Sequence, residues 1–175
     1  MATSKWVIDP THSEIQFKVK HLVISTVTGA FKAFEGNVET ETEDFDGATV
    51  EFSADVNSID TNQVQRDEHL KSADFFDAAN HPKFSYTGKL SKKGDDSYTL
   101  NGELTIKSAT KPFGFAVEYG GNMTDFYGNN KSGFEISGKI NRKEFGLEWS
   151  AVTEAGGVVV GDEVRLIANV QIVKQ

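Results

Sequence analysis

Cysteine is absent from this chain of 175 residues, which excludes disulfide bonds, thiolate metal sites and a cysteine nucleophile. Proline and methionine are scarce, and no stretch approaches the roughly 18 consecutive apolar residues that a membrane-spanning helix needs. The opening residues MATSKWVIDP lack the apolar run of a secretory signal. We therefore expect a cytoplasmic protein, or a periplasmic one if a leader has been removed, without stable membrane insertion.

Positive charge is also scarce, because 18 Lys and Arg stand against 26 Asp and Glu and give a net charge of -8. No cluster of basic residues interrupts this balance. Binding to a nucleic-acid backbone or to anionic lipid needs concentrated positive charge. The sequence therefore predicts no nucleic-acid partner.

Phenylalanine is abundant, with 13 residues, and apolar residues alternate with polar ones in short runs. In residues 49–59, for example, Val50, Phe52, Ala54 and Val56 share one face of a strand. Strands with one apolar and one polar face are typical of antiparallel sheets. About eight such runs predict a single all-β domain over residues 1–175, either a sandwich or a closed barrel. Small residues among the large inward ones favour an eight-stranded antiparallel barrel.

The alternation stops between residues 58 and 82, where helix signals replace it. Asn62 and Gln65 have the spacing of a capping box, and Pro82 ends any helix before it. The pattern predicts a short helical insertion over or beside one mouth of the barrel. Two further irregularities are expected: a bulge or sharp bend near Ala33, where the alternation slips by one residue, and a long polar loop or flexible hairpin end over residues 120–133.

Candidate catalytic residues are few. Asp9, His12 and Ser13 have the composition of a catalytic triad, but no GxSxG motif is present, and we favour a turn that enters a strand. His69 follows Arg66 and Asp67 and has the chemistry of an acid or base oriented by a carboxylate.

The alternative for this charged cluster is structural, and we favour it: an Arg66–Asp67 pair that fixes the short helix, with His69 packed beside it. Arg142 either pairs with a carboxylate or contacts a polar head group. The four histidines show neither HxH nor HExxH spacing, so no metal site is predicted. No cofactor is expected.

The inward aromatic and aliphatic side chains allow two interpretations. They form either a solid core or an enclosed apolar slot, and composition alone does not decide between them. A slot lined in this way would select a long hydrophobic molecule with little polar recognition.

A series of short motifs runs along almost the whole chain: WVIDPTHS (6–13), FKVKHL (17–22), GAF (29–31), SIDT (58–61), RDEHLKS (66–72), DFF (74–76), GELTI (102–106), TKP (110–112), NRKEFG (141–146) and VGDEV (160–164). This ordered series resembles the YceI-like family of bacterial polyisoprenoid-binding proteins. The resemblance implies a lipocalin-like, eight-stranded barrel that holds an isoprenoid or similar long-chain lipid. It implies binding or carriage rather than a known reaction, and no metal. Family members often carry a secretion signal, and from the opening residues we expect none here.

From these observations we predict a lipid-binding and transport barrel that is not an enzyme. The candidate ligand-binding residues are Phe17, Val19, His21, Phe31, Phe52, Val56, Phe75, Phe84, Tyr86, Leu104, Phe115, Phe134, Ile136 and Trp149. The candidates for a head-group or structural role are Arg66, Asp67, His69 and Arg142. The alternatives are a lipid-modifying enzyme that uses a histidine in the same barrel, and a ligand-free, stress-related interaction domain. A homodimer is left open.

Overall fold

The computed structural model describes residues 3–21, 24–42, 44–147 and 160–175. They contain eleven strand segments and one α-helix. The segments are β1 (Ser4–Ile8), β2 (Glu14–His21), β3 (Ser25–Phe31), β4 (Phe34–Thr40), β5 (Thr49–Asp55), β6 (Ile59–Asp60), β7 (Lys83–Lys92), β8 (Ser97–Ile106), β9 (Ala109–Thr124), β10 (Asn130–Asn141) and β11 (Val160–Lys174). The helix α1 (Val64–Lys71) lies between β6 and β7.

The strand segments form a closed eight-stranded antiparallel barrel, as predicted from the sequence. Three strands are bent into two segments each. β1 and β2 both pair with β11. On their other side, β3 pairs with β2 and β4 pairs with β1. In the same way, β6 pairs with β3 and β5 pairs with β4. The remaining segments β7 to β11 follow in chain order, and pairing of β1 with β11 closes the ring.

Local side-chain hydrogen bonds accompany the first and the third of these bends. At the first, Asp9 accepts a hydrogen bond from the Thr11 backbone N–H (3.0 Å) at the start of the 3-10 turn Pro10–His12. The second bend separates β3 from β4 and confirms the irregularity predicted near Ala33. At the third, β5 ends at Asp55 and a 3-10 turn begins at Val56. A continuous strand over residues 49–59 was therefore the wrong prediction.

The helical insertion exists, but it begins one residue later than the capping-box prediction implied, at Val64 instead of residue 63. Gln63 stands at the N-cap position without a side-chain capping bond, and Asn62 has a left-handed φ of 64°. Asn62 is therefore not the helix cap. Its backbone N–H instead donates to the side chain of Asp60 (2.8 Å), and this short turn reverses the chain between β6 and α1.

Of the two predictions for residues 120–133, the hairpin end describes the structure and the long polar loop does not, because most of this segment is strand. β9 continues to Thr124 and β10 starts at Asn130, so only a short turn remains. Asp125 organises this turn, because its Oδ1 accepts the backbone N–H groups of Tyr127 and Asn129, both at 2.9 Å. A polar composition therefore did not exclude regular pairing here.

The barrel has two ends. At the helix mouth lie α1, the chain that follows it, the turn between β8 and β9, and the 3-10 turn Arg142–Phe145. At the far mouth lie the start of β1, the end of β11, residues 41–42 and 44–48, and the turns before β8 and before β10. No helix within the described ranges is long and apolar enough to cross a membrane.

Candidate ligand-binding site

The interior of the barrel contains an elongated inner cavity of about 120 Å³. Apolar side chains from almost every strand dominate its lining. The predicted residues that line it are Phe31, Phe52, Phe84, Tyr86, Leu104, Phe115, Phe134 and Ile136. The interior is therefore a slot in part, and not only a packed core.

A second, larger cavity of about 440 Å³ lies below α1 at the helix mouth. The predicted residues that line this mouth cavity are Phe17, Val19, Phe31, Arg66, His69, Phe75, Phe84, Leu104 and Arg142. Phe31, Phe84, Leu104 and Leu166 line both cavities. These shared walls show that the two cavities adjoin, and together they extend from the helix mouth into the barrel.

Three of the predicted ligand-binding residues are not placed in these cavities. Val56 is buried, with 2% of its surface exposed, but borders neither cavity. The reason is that the strand ends at Asp55, so the inward alternation does not extend to Val56. Trp149 and the side chain of His21 lie outside the described part of the chain.

Arg66 and Asp67 meet at Thr61 and hold the start of α1 to the barrel. The guanidinium of Arg66 donates from Nε to Thr61 Oγ1 (2.7 Å) and from Nη2 to Thr61 O (2.6 Å). Asp67 Oδ1 accepts from the backbone N–H (2.8 Å) and the hydroxyl (2.5 Å) of Thr61. Thr61 thus bridges the two charged residues, where the sequence had predicted a direct Arg–Asp pair.

His69 fixes the other end of α1 through contacts with Asp74 and Phe75. Its Nε2 lies 2.8 Å from Asp74 Oδ2, and its ring packs edge-on against Phe75 with centroids 5.2 Å apart. The pair connects α1 to the turn that follows it. Asp74 therefore orients His69, and Phe75 carries the apolar surface into the mouth cavity.

Arg142 is almost completely buried, with 2% of its surface exposed, at the floor of the mouth cavity. It donates to the carbonyls of Gly161 (Nε, 2.8 Å) and Leu147 (Nη1, 2.5 Å), while Asp162 Oδ1 lies 3.8 Å from Nη2. Its guanidinium carbon lies 5.8 Å from the centroid of the Phe75 ring. Burial lowers the pKa of Arg142, and Asp162 opposes that shift.

The residues that resembled a triad do not form one. Ser13 is buried, and its hydroxyl is engaged with Gln171, accepting from the backbone N–H (3.0 Å) and donating to the carbonyl (3.4 Å). His12 instead pairs through Nδ1 with Asp9 Oδ2 (2.7 Å). These contacts tie the turn Pro10–His12 to β11, which agrees with the structural interpretation.

Much of the cavity lining was not among the residues predicted from the sequence. β11 contributes Val164, Leu166, Ala168, Val170 and Ile172, whose alternation was visible in the sequence. Phe45 was also missed as a core residue. It lies in a loop without any periodic signal, and yet only 4% of its surface is exposed.

Fold and cavity together define a lipocalin-like class of protein: a small closed antiparallel barrel with an apolar interior that reaches a helix-covered mouth. Within this class, the chain belongs to the YceI-like family, because the model of the YceI-like domain matches residues 6–172. A UPF0312 protein of Staphylococcus epidermidis is 34% identical over 169 residues, which cover 96% of each chain.

Two solved structures share the fold. BcnA of Burkholderia cenocepacia superposes with a TM-score of 0.81 at 21% identity, over 94% of this chain and 98% of its own. A polyisoprenoid binding domain from Saccharophagus degradans gives a TM-score of 0.70 at 14% identity, over 97% and 98%. At these identities the similarity establishes the architecture.

Proposed function

We propose that this protein binds and carries one polyisoprenoid or comparable long-chain lipid, with the chain inside the barrel and the polar end at the helix mouth. The observation that supports this most directly is the pair of adjoining cavities, lined largely by apolar side chains, that extends from the helix mouth into the barrel. The Saccharophagus degradans domain, which has the same architecture, bears the name of a polyisoprenoid binder.

The free energy gained when a lipid chain fills these cavities is large enough for stable binding. A chain that loses about 400 Å² of apolar surface gains roughly 10 kcal/mol at about 25 cal/mol per Å². Loss of translational and rotational freedom offsets a good part of this gain. Burial of the chain therefore supplies the affinity, and polar contacts fix its orientation.

The distribution of polar groups determines that orientation. The inner cavity is lined predominantly by apolar side chains, whereas Lys20, Arg66, His69 and Arg142 border the mouth cavity. No acidic residue in the described ranges lines the mouth cavity. A polar end group inside the barrel would lose its hydration without finding partners. The lipid therefore enters with its apolar end first.

We propose binding rather than catalysis, since His69 is held by Asp74 and Phe75 and the Arg66 guanidinium is engaged with Thr61. Both residues thereby hold the cover of the cavity in place. The enzyme alternative predicts turnover of a bound prenyl lipid that disappears in His69→Ala. Unchanged binding without turnover supports the carrier. A cytoplasmic location, or a periplasmic one if a leader has been removed, stays a prediction from the sequence, and a homodimer is left open.

Native mass spectrometry of freshly purified protein, followed by solvent extraction of the bound material, tests the proposal. We expect a stoichiometric adduct that extracts as a prenyl or long acyl chain. Delipidated protein should then take up an added polyprenol in a one-to-one complex. A bare protein that also takes up no added polyprenol would contradict the proposal and favour the ligand-free interaction domain.

A further inference from the structure

An aromatic cluster closes the inner cavity at the far mouth. Phe45 lies at its centre and makes edge-on contacts with Trp6 and Phe134, with ring centroids 5.2 and 5.1 Å apart. Tyr119 lies 6.1 Å from Phe45 on a third side. Phe134 also lines the inner cavity, so the ring of Phe45 lies behind the part of the cavity wall that Phe134 forms, on the side of the far mouth.

The space on the other side of Phe45 differs in character. A cavity of about 450 Å³ at the far mouth is bordered by Trp6, Phe45 and Tyr119 together with polar residues such as Thr40 and Ser132. It shares no lining residue with the inner cavity. The aromatic cluster is therefore the partition between an apolar slot and a polar space.

The loop that carries Phe45 is attached to β7 at both of its flanks. After Phe45, Gly47 donates its backbone N–H to Leu90 O (2.8 Å), and Leu90 donates in return to Ala48 O (2.9 Å). Asp46 accepts the backbone N–H of Lys92 through Oδ1 (2.9 Å).

On the other flank, Asp44 Oδ2 lies 3.4 Å from Lys92 Nζ. Asp44 O also accepts from the buried hydroxyl of Thr40 (3.2 Å). Because the loop is fixed on both sides of residue 45, the ring is held at one depth along the barrel axis.

We propose that Phe45 sets the maximum length of the chain that the barrel accepts. This inference rests on the proposed function, since a stop acts only on a chain that enters from the helix mouth. A chain too long for the slot must either displace the fixed ring or leave part of itself outside the helix mouth. Either costs affinity, so binding falls sharply beyond a limiting length.

The test uses delipidated full-length protein and a series of polyprenols that differ by one isoprene unit, with complexes counted by native mass spectrometry. We expect a limiting length in the unchanged protein and a shift to longer polyprenols in Phe45→Ala and Phe45→Leu. Phe45→Leu keeps much of the apolar volume, so it tests the role of Phe45 in limiting the chain length if Phe45→Ala fails to fold. Phe126→Ala is the matched control, because Phe126 is fully exposed at the same mouth.

The outcomes separate the two proposals. Folded Phe45 variants with the same limiting length as the unchanged protein would overturn the role of Phe45 and leave lipid binding intact. Absence of a limiting length in the unchanged protein would overturn it too. If no polyprenol binds to the unchanged protein, the proposed function fails and the role of Phe45 fails with it.

Discussion

Gly29 and Phe17 are paired across the ladder between β2 and β3, and the ring of Phe17 occupies the space where residue 29 would carry a side chain. A Cβ atom on Gly29 would lie 2.3 Å from Cζ of Phe17 and 2.9 Å from Cγ2 of Thr61. The glycine therefore provides room for the ring, which packs against Phe31 with centroids 5.6 Å apart. The same ring forms part of the wall of the mouth cavity.

Gly29→Ala should destabilise the protein, because Phe17 must move away from the barrel wall and into the cavity. We expect a loss of about 1–3 kcal/mol in the free energy of unfolding, as for other overpacked sites. Urea unfolding measures this loss. Gly94→Ala serves as the control, since its nearest neighbour would be Ser97 Cβ at 3.7 Å. Equal stability of the two variants would contradict the steric role of Gly29.

Tyr86 links three strands of the barrel wall and predicts an alkaline limit of stability. Its hydroxyl donates to Phe113 O (2.7 Å) and lies 3.3 Å from Leu100 O, and burial raises its pKa from 10.0 to about 12. A raised pKa means that the folded protein retains this proton more strongly than the unfolded chain does. Its contribution is fully present below pH 10 and is lost as the pH rises toward 12.

Tyr86→Phe tests this directly. At neutral pH the variant should be less stable by about 1 kcal/mol, because a buried hydrogen bond is lost. Between the unfolded and the folded pKa of Tyr86, the stability of the variant should fall less steeply with pH than that of the unchanged protein. Part of the pH dependence remains, because burial also raises the pKa of Tyr98. Thermal unfolding as a function of pH measures both effects. Tyr127→Phe, at an exposed position, should change neither.

Asp9 predicts a loss of folding stability at acid pH. Partial burial alone would raise its pKa, but hydrogen bonds from His12, Thr11 and Lys131 outweigh that effect and hold the pKa far below its usual range. Since the folded pKa is depressed, the contribution of Asp9 is present above pH 3.8 and is lost as the pH falls below that value.

Asp9→Asn should therefore lower stability at pH 7 and make stability less dependent on pH in the acid range. Urea unfolding at neutral and acid pH measures the difference. Asp44 and Asp125 also have lowered pKa values, chiefly through backbone hydrogen bonds from Asp46 and Asn129, so part of the acid sensitivity remains. Asp95→Asn, in an exposed turn, is the control. Identical acid profiles for Asp9→Asn and the unchanged protein would contradict this role.

Period-two alternation predicted most of the barrel because each strand has one face toward the interior. It identified Phe52 and Phe134 as inward residues without knowledge of strand order. It failed where a strand changes direction, as at Val56, since a turn ends the alternation without a change in composition. It also did not extend the strands into residues 120–133, where pairs of mixed character such as Lys131 with Met123 continue the pairing of β9 with β10.

The polar features of the site were less predictable for a different reason. Arg66 and Asp67 are adjacent in sequence, yet both reach back to Thr61, and only the path of the chain brings that residue to them. Phe45 likewise gains its role from Trp6 and Phe134, which are distant in sequence. Such contacts depend on tertiary structure, which neither propensity nor periodicity encodes.

Phe52 and Phe145 distinguish an interior that contains a slot from one that is packed throughout. Phe145 is buried to all but 1% of its surface and packs within the core, whereas Phe52 borders the inner cavity and is only partly buried. Removal of a ring from close packing costs about 3–5 kcal/mol, because the cavity left behind does not collapse. We expect that loss for Phe145→Ala.

For Phe52→Ala we expect a loss below about 3 kcal/mol, since part of the ring already faces empty space. Urea unfolding of both variants as delipidated protein measures the difference, because a bound lipid would add its own stabilisation of the folded state. An equal loss for the two variants would mean that the barrel closes around Phe52 when it is empty. The slot would then exist only with its ligand in place, and binding would have to open the core.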